Sequence, residues 1–317
     1  MIHRSASVMV GSALLVLAGA QAALALHASP DPLLQPAKGK PYAFSLRGSV
    51  GWLDGQADEL VYEPEMDDYK LSELNWDLSG LVMGGAVFSA VAGRIGCNAG
   101  FWVAANKGDG EMKDYDWFIP GMDWTDYSRS NVDVESAYCM DFNANYLVYG
   151  RPEIGVRGVL GFKRDYWEWS DSGQEFIYST FGYRDTIGSF EGQNVIDYQQ
   201  TFDIPYFGLN LDGRAGKFGW NAYALYSPLV TAEDKDHHIL RDLHFEEDFD
   251  GGDFFAVGVS GSYRIGKQFF LSGAVDYQDI PEIQGDMLIV EDGESYEDSA
   301  GIANNNLMVS LALGWLL

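Results

Sequence analysis

The stretch VDVESAYCMDFNANYLVY, residues 132–149, decides the fold. Its even positions, Val132, Val134, Ser136, Tyr138, Met140, Phe142, Ala144, Tyr146 and Val148, form one largely apolar face. The odd positions include Asp133, Glu135, Cys139, Asp141, Asn143 and Asn145, so the other face is mostly acid and amide. A side-chain period of two is that of a β-strand, and 18 residues exceed the usual strand of a soluble sheet. The C-terminus repeats the pattern, with Leu307, Val309, Leu311, Leu313, Trp315 and Leu317 against Met308, Ser310, Ala312, Gly314 and Leu316. An apolar face toward lipid and a small or polar face toward a lumen is the pattern of a transmembrane β-barrel.

Working outward, strands are expected near 41–58, 68–88, 93–108, 130–149, 153–171, 191–212, 217–231, 241–263, 268–284 and 301–317. Segment 198–212 alternates poorly, which leaves its register open. Connections around residues 90–94, 150–153, 213–217 and 264–267 are short, whereas 59–67, 109–129, 172–190, 232–240 and 285–300 are longer and strongly polar. Short periplasmic turns and long outer loops put both chain ends on the periplasmic side, and an even strand count closes the sheet with no edge exposed to lipid. The expected fold is all-β: a ten-stranded antiparallel transmembrane β-barrel with long extracellular loops.

Residues 1–25 read as a secretory signal: His3 and Arg4 precede the apolar run of residues 6–20, and Ala23 and Ala25 mark cleavage after Ala25, with Ala22 the next choice. Residues 26–40 read as a periplasmic N-terminal lead-in and 41–317 as the barrel domain. Beyond the signal no stretch reaches the roughly 18 apolar residues of a membrane helix. The 20 Lys+Arg against 47 Asp+Glu give a formal charge of −27, which excludes a nucleic-acid binder, since such binding depends on cationic groups that displace phosphate counterions. Cys97 and Cys139 fall on opposite faces of neighbouring strands, an arrangement unsuited to a disulfide.

Two short clusters carry candidate chemistry. Asp114 and Asp116 are two residues apart and share a side if the chain is extended; Asp236 and His238 bear the same relation. A carboxylate beside an imidazole fixes its tautomer and raises its basicity, and paired aspartates can hold a water or share a proton. The same spacings suit a divalent cation, or simply a solvated acidic loop, so residue spacing alone leaves catalysis, metal binding and loop surface open. The carboxylate-rich loops do not follow the twelve-residue calcium loop with its central Gly and terminal Glu.

With Ser72-Glu73-Leu74-Asn75-Trp76, Asp114-Tyr115-Asp116-Trp117, Trp124-Thr125-Asp126-Tyr127-Ser128-Arg129, the segment from Tyr183 to Phe190 and that from Asp234 to His238, the chain resembles the omptin family of outer-membrane proteases, in order from about Phe44 to the C-terminus. The resemblance implies an aspartic-type endopeptidase in the cell outer membrane, its site facing outward, that cuts peptides or exposed protein loops after basic residues, Arg over Lys. It implies Asp114, Asp116, Asp236 and His238 as catalytic groups and Glu59 and Asp234 as the pocket for the basic side chain. Because the carboxylate spacings do not follow a calcium loop, no metal is expected for the reaction; no cofactor is expected either, and the chain is expected to be a monomer. Members that depend on lipopolysaccharide grip its phosphates with basic residues on the outer wall. Here the corresponding positions read Arg164, Tyr166, Thr201 and Asp250, a weakened lipopolysaccharide site, and the chain ends in Leu317 rather than an aromatic residue. A reading from another class is a non-enzymatic surface barrel, an adhesin or scaffold whose acidic loops hold a basic partner. A passive pore is disfavoured, because Asp133, Glu135 and Asp141 would all require partners in its lumen.

Overall fold

The computed structural model describes residues 26–67, 69–151 and 153–317; the signal segment read in residues 1–25 lies outside them. Among the described residues, strands β1 (Tyr42–Glu63), β2 (Tyr69–Asp77), β3 (Leu81–Ala92), β4 (Ile95–Ala104), β5 (Gly110–Asp116), β6 (Asp126–Arg151), β7 (Ile154–Tyr178), β8 (Thr186–Ser189), β9 (Ile196–Ala215), β10 (Phe218–His238), β11 (Leu243–Arg264), β12 (Phe269–Ile289) and β13 (Glu294–Leu316) form one antiparallel sheet. β1 pairs with β13 from Ser45↔Leu316 to Val61↔Ala300, so the sheet closes on itself. β2 and β3 are one wall strand interrupted at residues 78–80, and β4 and β5 another interrupted at 105–109; β8 is a short addition to the outer end of β7. The barrel wall therefore has ten strands, antiparallel throughout.

Val50, Phe88, Phe142, Leu160, Leu209, Val257, Leu271 and Leu311 stand exposed in an outward apolar band. Trp315, Phe269 and Tyr263 rim one side of it and Trp52, Tyr226 and Tyr277 the other, the aromatic girdles of a membrane barrel. Inside the band the lumen is polar and crossed by ion pairs and hydrogen bonds. Lys163 is ion-paired to Asp165, Gln278 donates to Asp165 at 2.9 Å, Tyr206 donates to Asp141 at 2.7 Å, and Arg157 meets Asp212 at 2.7 Å. The residues read as a lead-in begin inside this lumen: His27 Nδ1 lies 2.6 Å from Asp141, and Arg47 donates to the Ser29 carbonyl at 2.6 Å. Leu26, Ala28 and Leu33 are buried with them. Both cysteines are free thiols, Cys97 exposed and Cys139 buried.

Two expectations need correction. The alternation in residues 132–149 looks continuous, yet a β-bulge lies between Val134 and Ser136. One extra residue inverts the side-chain phase. Below the bulge Cys139, Asp141 and Asn143 point inward as expected, but above it Val132 and Val134 are buried and Asp133 and Glu135 face outside. There Lys107 donates to both, at 3.3 and 2.5 Å, so neither acid burdens the lumen. The second correction concerns the polar segments read as loops. β5 occupies part of 109–129, β7 runs to Tyr178, and β10 continues through 232–238, so the candidate site residues sit on strands that rise above the membrane band.

The poor alternation of 198–212 has a packing cause. β9 turns Phe202 and Ile204 inward, where they meet Phe249, Phe254, Ile280 and Ile283 in a buried apolar layer above the polar lumen. Trp76, Trp169 and Tyr198 extend this core outward, with Trp76 stacked on Tyr198 at 5.1 Å between ring centroids.

Candidate active site

Beyond the aromatic layer a cleft of about 450 Å³ opens to the outside, and Glu59, Asp114, Asp116, Asp236 and His238 all line it. Asp114 and Asp116 alternate with Tyr115 on β5, so both carboxyls leave the same face. β5 is clamped between β2 and β6, with Leu74 and Ser128 beside Asp114 and Ser72 and Asp126 beside Asp116. The Ser128 and Ser72 hydroxyls lie 3.4 and 3.5 Å from Asp114. Burial pushes Asp114 up to about 7, against the hydroxyl of Ser128 and with the charge of Asp236. Burial, then the charge of Asp114, pushes Asp116 up to about 8. Two such neighbours titrate as a pair that retains a proton at neutral pH.

Across the cleft, β10 repeats the two-residue step. Asp236 Oδ2 lies 2.6 Å from His238 Nε2. Asp236 is buried, and among the described residues its Oδ1 has no hydrogen-bond partner. With Nε2–H donated to the carboxylate, the imidazole lone pair stands on Nδ1. The Arg241 guanidinium, carried by the turn after β10, donates to that atom and lines the same cleft. The Phe245 ring meets His238 edge to face at 5.5 Å, limiting its rotation.

Glu59 rises from β1 between Leu74 and Ile302. It is 3% exposed and its Oε2 has no partner among the described residues; burial, then the charges of Asp236, Asp234 and Asp114, hold its carboxyl well above the usual range. Asp234 is set back from the cleft surface, with the Tyr198 hydroxyl donating to its Oδ2 at 2.8 Å. Burial pushes it up to about 8. The structure thus brings all six sequence-identified residues to one end of the barrel, five on the cleft wall and Asp234 just behind. Sequence reasoning missed Glu247, Arg241 and Ser128, which line the same cleft. Glu247 lies in the acidic run 246–250, where only its pairing opposite Asp234 distinguishes it.

On the outer wall, Arg164 is held by Asp203, its Nε donating at 2.6 Å. Tyr166 stacks on Tyr138 and donates to Glu168. Thr201 and Asp250 share a hollow of about 410 Å³ with Arg164, Asp203, Glu233 and Asp248. Among the described residues the one cation lining this hollow, Arg164, is therefore already neutralised and surrounded by acids.

The Omptin family model matches residues 40–317. The chain is 28% identical over 284 residues to the plasminogen activator of Yersinia pestis, covering 86% of this chain and 89% of that protein. It is likewise 28% identical to the outer membrane protease OmpP of Escherichia coli K12, covering 86% and 90%. The crystal structure of the outer membrane protease OmpT from Escherichia coli superposes with a TM-score of 0.81 over 87% of this chain and 97% of that one, at 24% identity, a likeness of fold. A match across nearly the whole barrel, with curated outer-membrane proteases among the relatives, makes this chain a member of the omptin family: an aspartic-type endopeptidase of the outer membrane whose active site faces the extracellular side.

Proposed function

We propose that the cleft hydrolyses peptide bonds that follow a basic residue, Arg in preference to Lys, through Asp114 and Asp116 on one side and Asp236 and His238 on the other. The observation that carries this reading is the pair of opposed two-residue steps, β5 and β10, lining one cleft. A water between them forms the new C–O bond while its proton passes to His238 Nδ1; Asp236 keeps the ring oriented and stabilises the imidazolium. The proton retained by Asp114 and Asp116 is donated in a hydrogen bond to the carbonyl oxygen as it becomes an oxyanion. On collapse, the C–N bond breaks and His238 returns its proton to the leaving amine. Arg241 must leave Nδ1 before this begins.

Glu59 and Asp234 hold the basic side chain before the scissile bond. Two carboxylates favour the rigid guanidinium fork over the point charge of an ammonium and repel an acidic side chain. The negative field of the outer barrel also concentrates cationic peptides, an effect that weakens with salt. The outer wall, with Arg164 occupied by Asp203, imposes no lipopolysaccharide requirement, and the reaction uses neither metal nor cofactor. Chelator accordingly leaves cleavage intact; complete loss restored by one divalent ion would contradict this. In folded, purified protein, His238→Ala lowers kcat/KM on a fluorogenic Arg peptide by about 10³-fold, the scale of a lost general base. Undiminished cleavage by that variant would remove the assignment.

A further inference from the structure

The acidic run Glu246-Glu247-Asp248-Phe249-Asp250 lies on β11 and alternates like any strand. Glu246 faces outside, where Lys235 donates to it at 2.7 Å, and Asp248 and Asp250 line the outer-wall hollow. Glu247 alone of these acids turns inward. It is 2% exposed, lines the cleft together with Glu59, and has no hydrogen-bond donor at either Oε among the described residues. Its strand register places it opposite Asp234, close enough for the two carboxyls to share a proton. Glu59 Oε2 and Asp234 Oδ1 are also unpartnered. Buried polar atoms are nearly always satisfied in a folded protein, and a buried carboxylate without a donor is costly. Three buried carboxyls converging on one cleft end, none ion-paired to a base among the described residues, describe a receptor for a cation.

Resting on the reading of Glu59 and Asp234 as the pocket for the basic side chain, we propose that Glu247 is a further specificity-determining residue: the guanidinium enters between Glu59 and Glu247, and Asp234 supports it from behind. A guanidinium has five N–H donors distributed along its edges, enough to engage two carboxylates with different edges. An ammonium has three donors on one atom and satisfies the same walls less completely. The groups facing Glu247 are Glu59 from β1, Asp234 and Asp236 from β10 and Tyr198 from β9, all acidic or neutral. Removal of its charge therefore eases ionisation of the remaining acids, and the acid limb of kcat/KM moves to lower pH.

The test uses the full mature chain folded in detergent and peptides with Arg, Lys or Ala before the scissile bond. Glu247→Gln is expected to raise KM for the Arg peptide about 10-fold, the scale of a hydrogen bond to a charged group, with kcat within about 3-fold and the acid limb displaced downward. Glu59→Gln is assayed alongside it. If Glu59→Gln loses its preference for Arg over Ala while Glu247→Gln keeps KM and pH limb unchanged, the role of Glu247 is overturned and the pocket stands. If both variants retain full preference, the pocket reading fails and the proposal with it. Should Glu247→Gln not fold, Glu247→Asp, which retracts the charge by one methylene, is read in the same assay: a raised KM supports the proposal and an unchanged one overturns it.

Discussion

The membrane-level half of the barrel and the half above it bury the same kind of residue in different company. Below, Asp165 has Lys163 and Gln278, Asp141 has His27, Tyr206 and Asn143, and Asp212 has Arg157. Asp31 and Asp276 each leave one oxygen without a hydrogen bond but have Arg47 nearby; above, among the described residues, Glu59, Asp234 and Glu247 keep unpartnered oxygens with no ion pair to a base. Asp141 and Asp165 are as completely buried as the acids above, so solvent does not explain the contrast. A buried carboxylate beside its base stays charged, whereas carboxyls crowded together without one are kept from ionising until a cation arrives. In the proposed reading the lower half is built to persist and the upper half to bind.

Substitution in each half tests that contrast. Glu59→Gln lowers kcat/KM on an Arg peptide by about 100-fold, in the range for loss of one member of a buried charge pair, and leaves the barrel folded. Asp165→Asn does the reverse: cleavage by the folded fraction is unchanged, while Lys163, 2% exposed, is left without its carboxylate. Breaking a buried pair this way costs about 3–5 kcal/mol, readable as a fall in the thermal unfolding midpoint. Exchanged phenotypes would dissolve the division.

A smaller effect concerns pH. Asp114 at about 7 and Asp116 and Asp234 at about 8 lie above the ordinary aspartate value of 3.8. Between about pH 4 and 8 the folded chain therefore binds more protons at these groups than the unfolded chain, so stability falls as pH rises, opposite to the usual behaviour of salt-bridged carboxylates. Glu73, where burial is outweighed by hydrogen bonds from Lys70 and Asn75, and Glu291, which accepts from His244, are held below their ordinary value of 4.5 and act below most of that window. The unfolding midpoint is accordingly higher at pH 5 than at pH 8, and Asp114→Asn reduces the difference; a midpoint that rises across the window would contradict it. The smallest effect is on activation: added lipopolysaccharide changes cleavage in lipid-free detergent by less than about twofold, because the patch around Arg164 lacks free cations for phosphate. Activity seen only after addition would break this expectation.

The wall was legible in the sequence because lipid and lumen impose a period of two, as in residues 307–317. The same rule misled at Asp133 and Glu135, since a bulge reverses phase without interrupting the alternation of residue types. Asp114, Asp116, Asp236 and His238 were legible as two-residue steps, but their polarity read as loop when they stand on β5 and β10. Glu247 was hidden among acids of identical chemistry; only register against Asp234 separates it from Glu246 and Asp248. Arg241 was hidden because its contact with His238 depends on the turn after β10.

In the proposed mechanism the unpaired carboxyls of the upper half receive a basic side chain while His238 drives cleavage beside it. Mass-spectrometric mapping of every cut made in a mixed peptide library by the folded, lipid-free chain tests it most directly. Cuts are expected after Arg, then Lys, with none after Glu or Asp, and the whole pattern disappears in His238→Ala. Cuts distributed without regard to the preceding residue, or the same pattern from His238→Ala, would contradict the account.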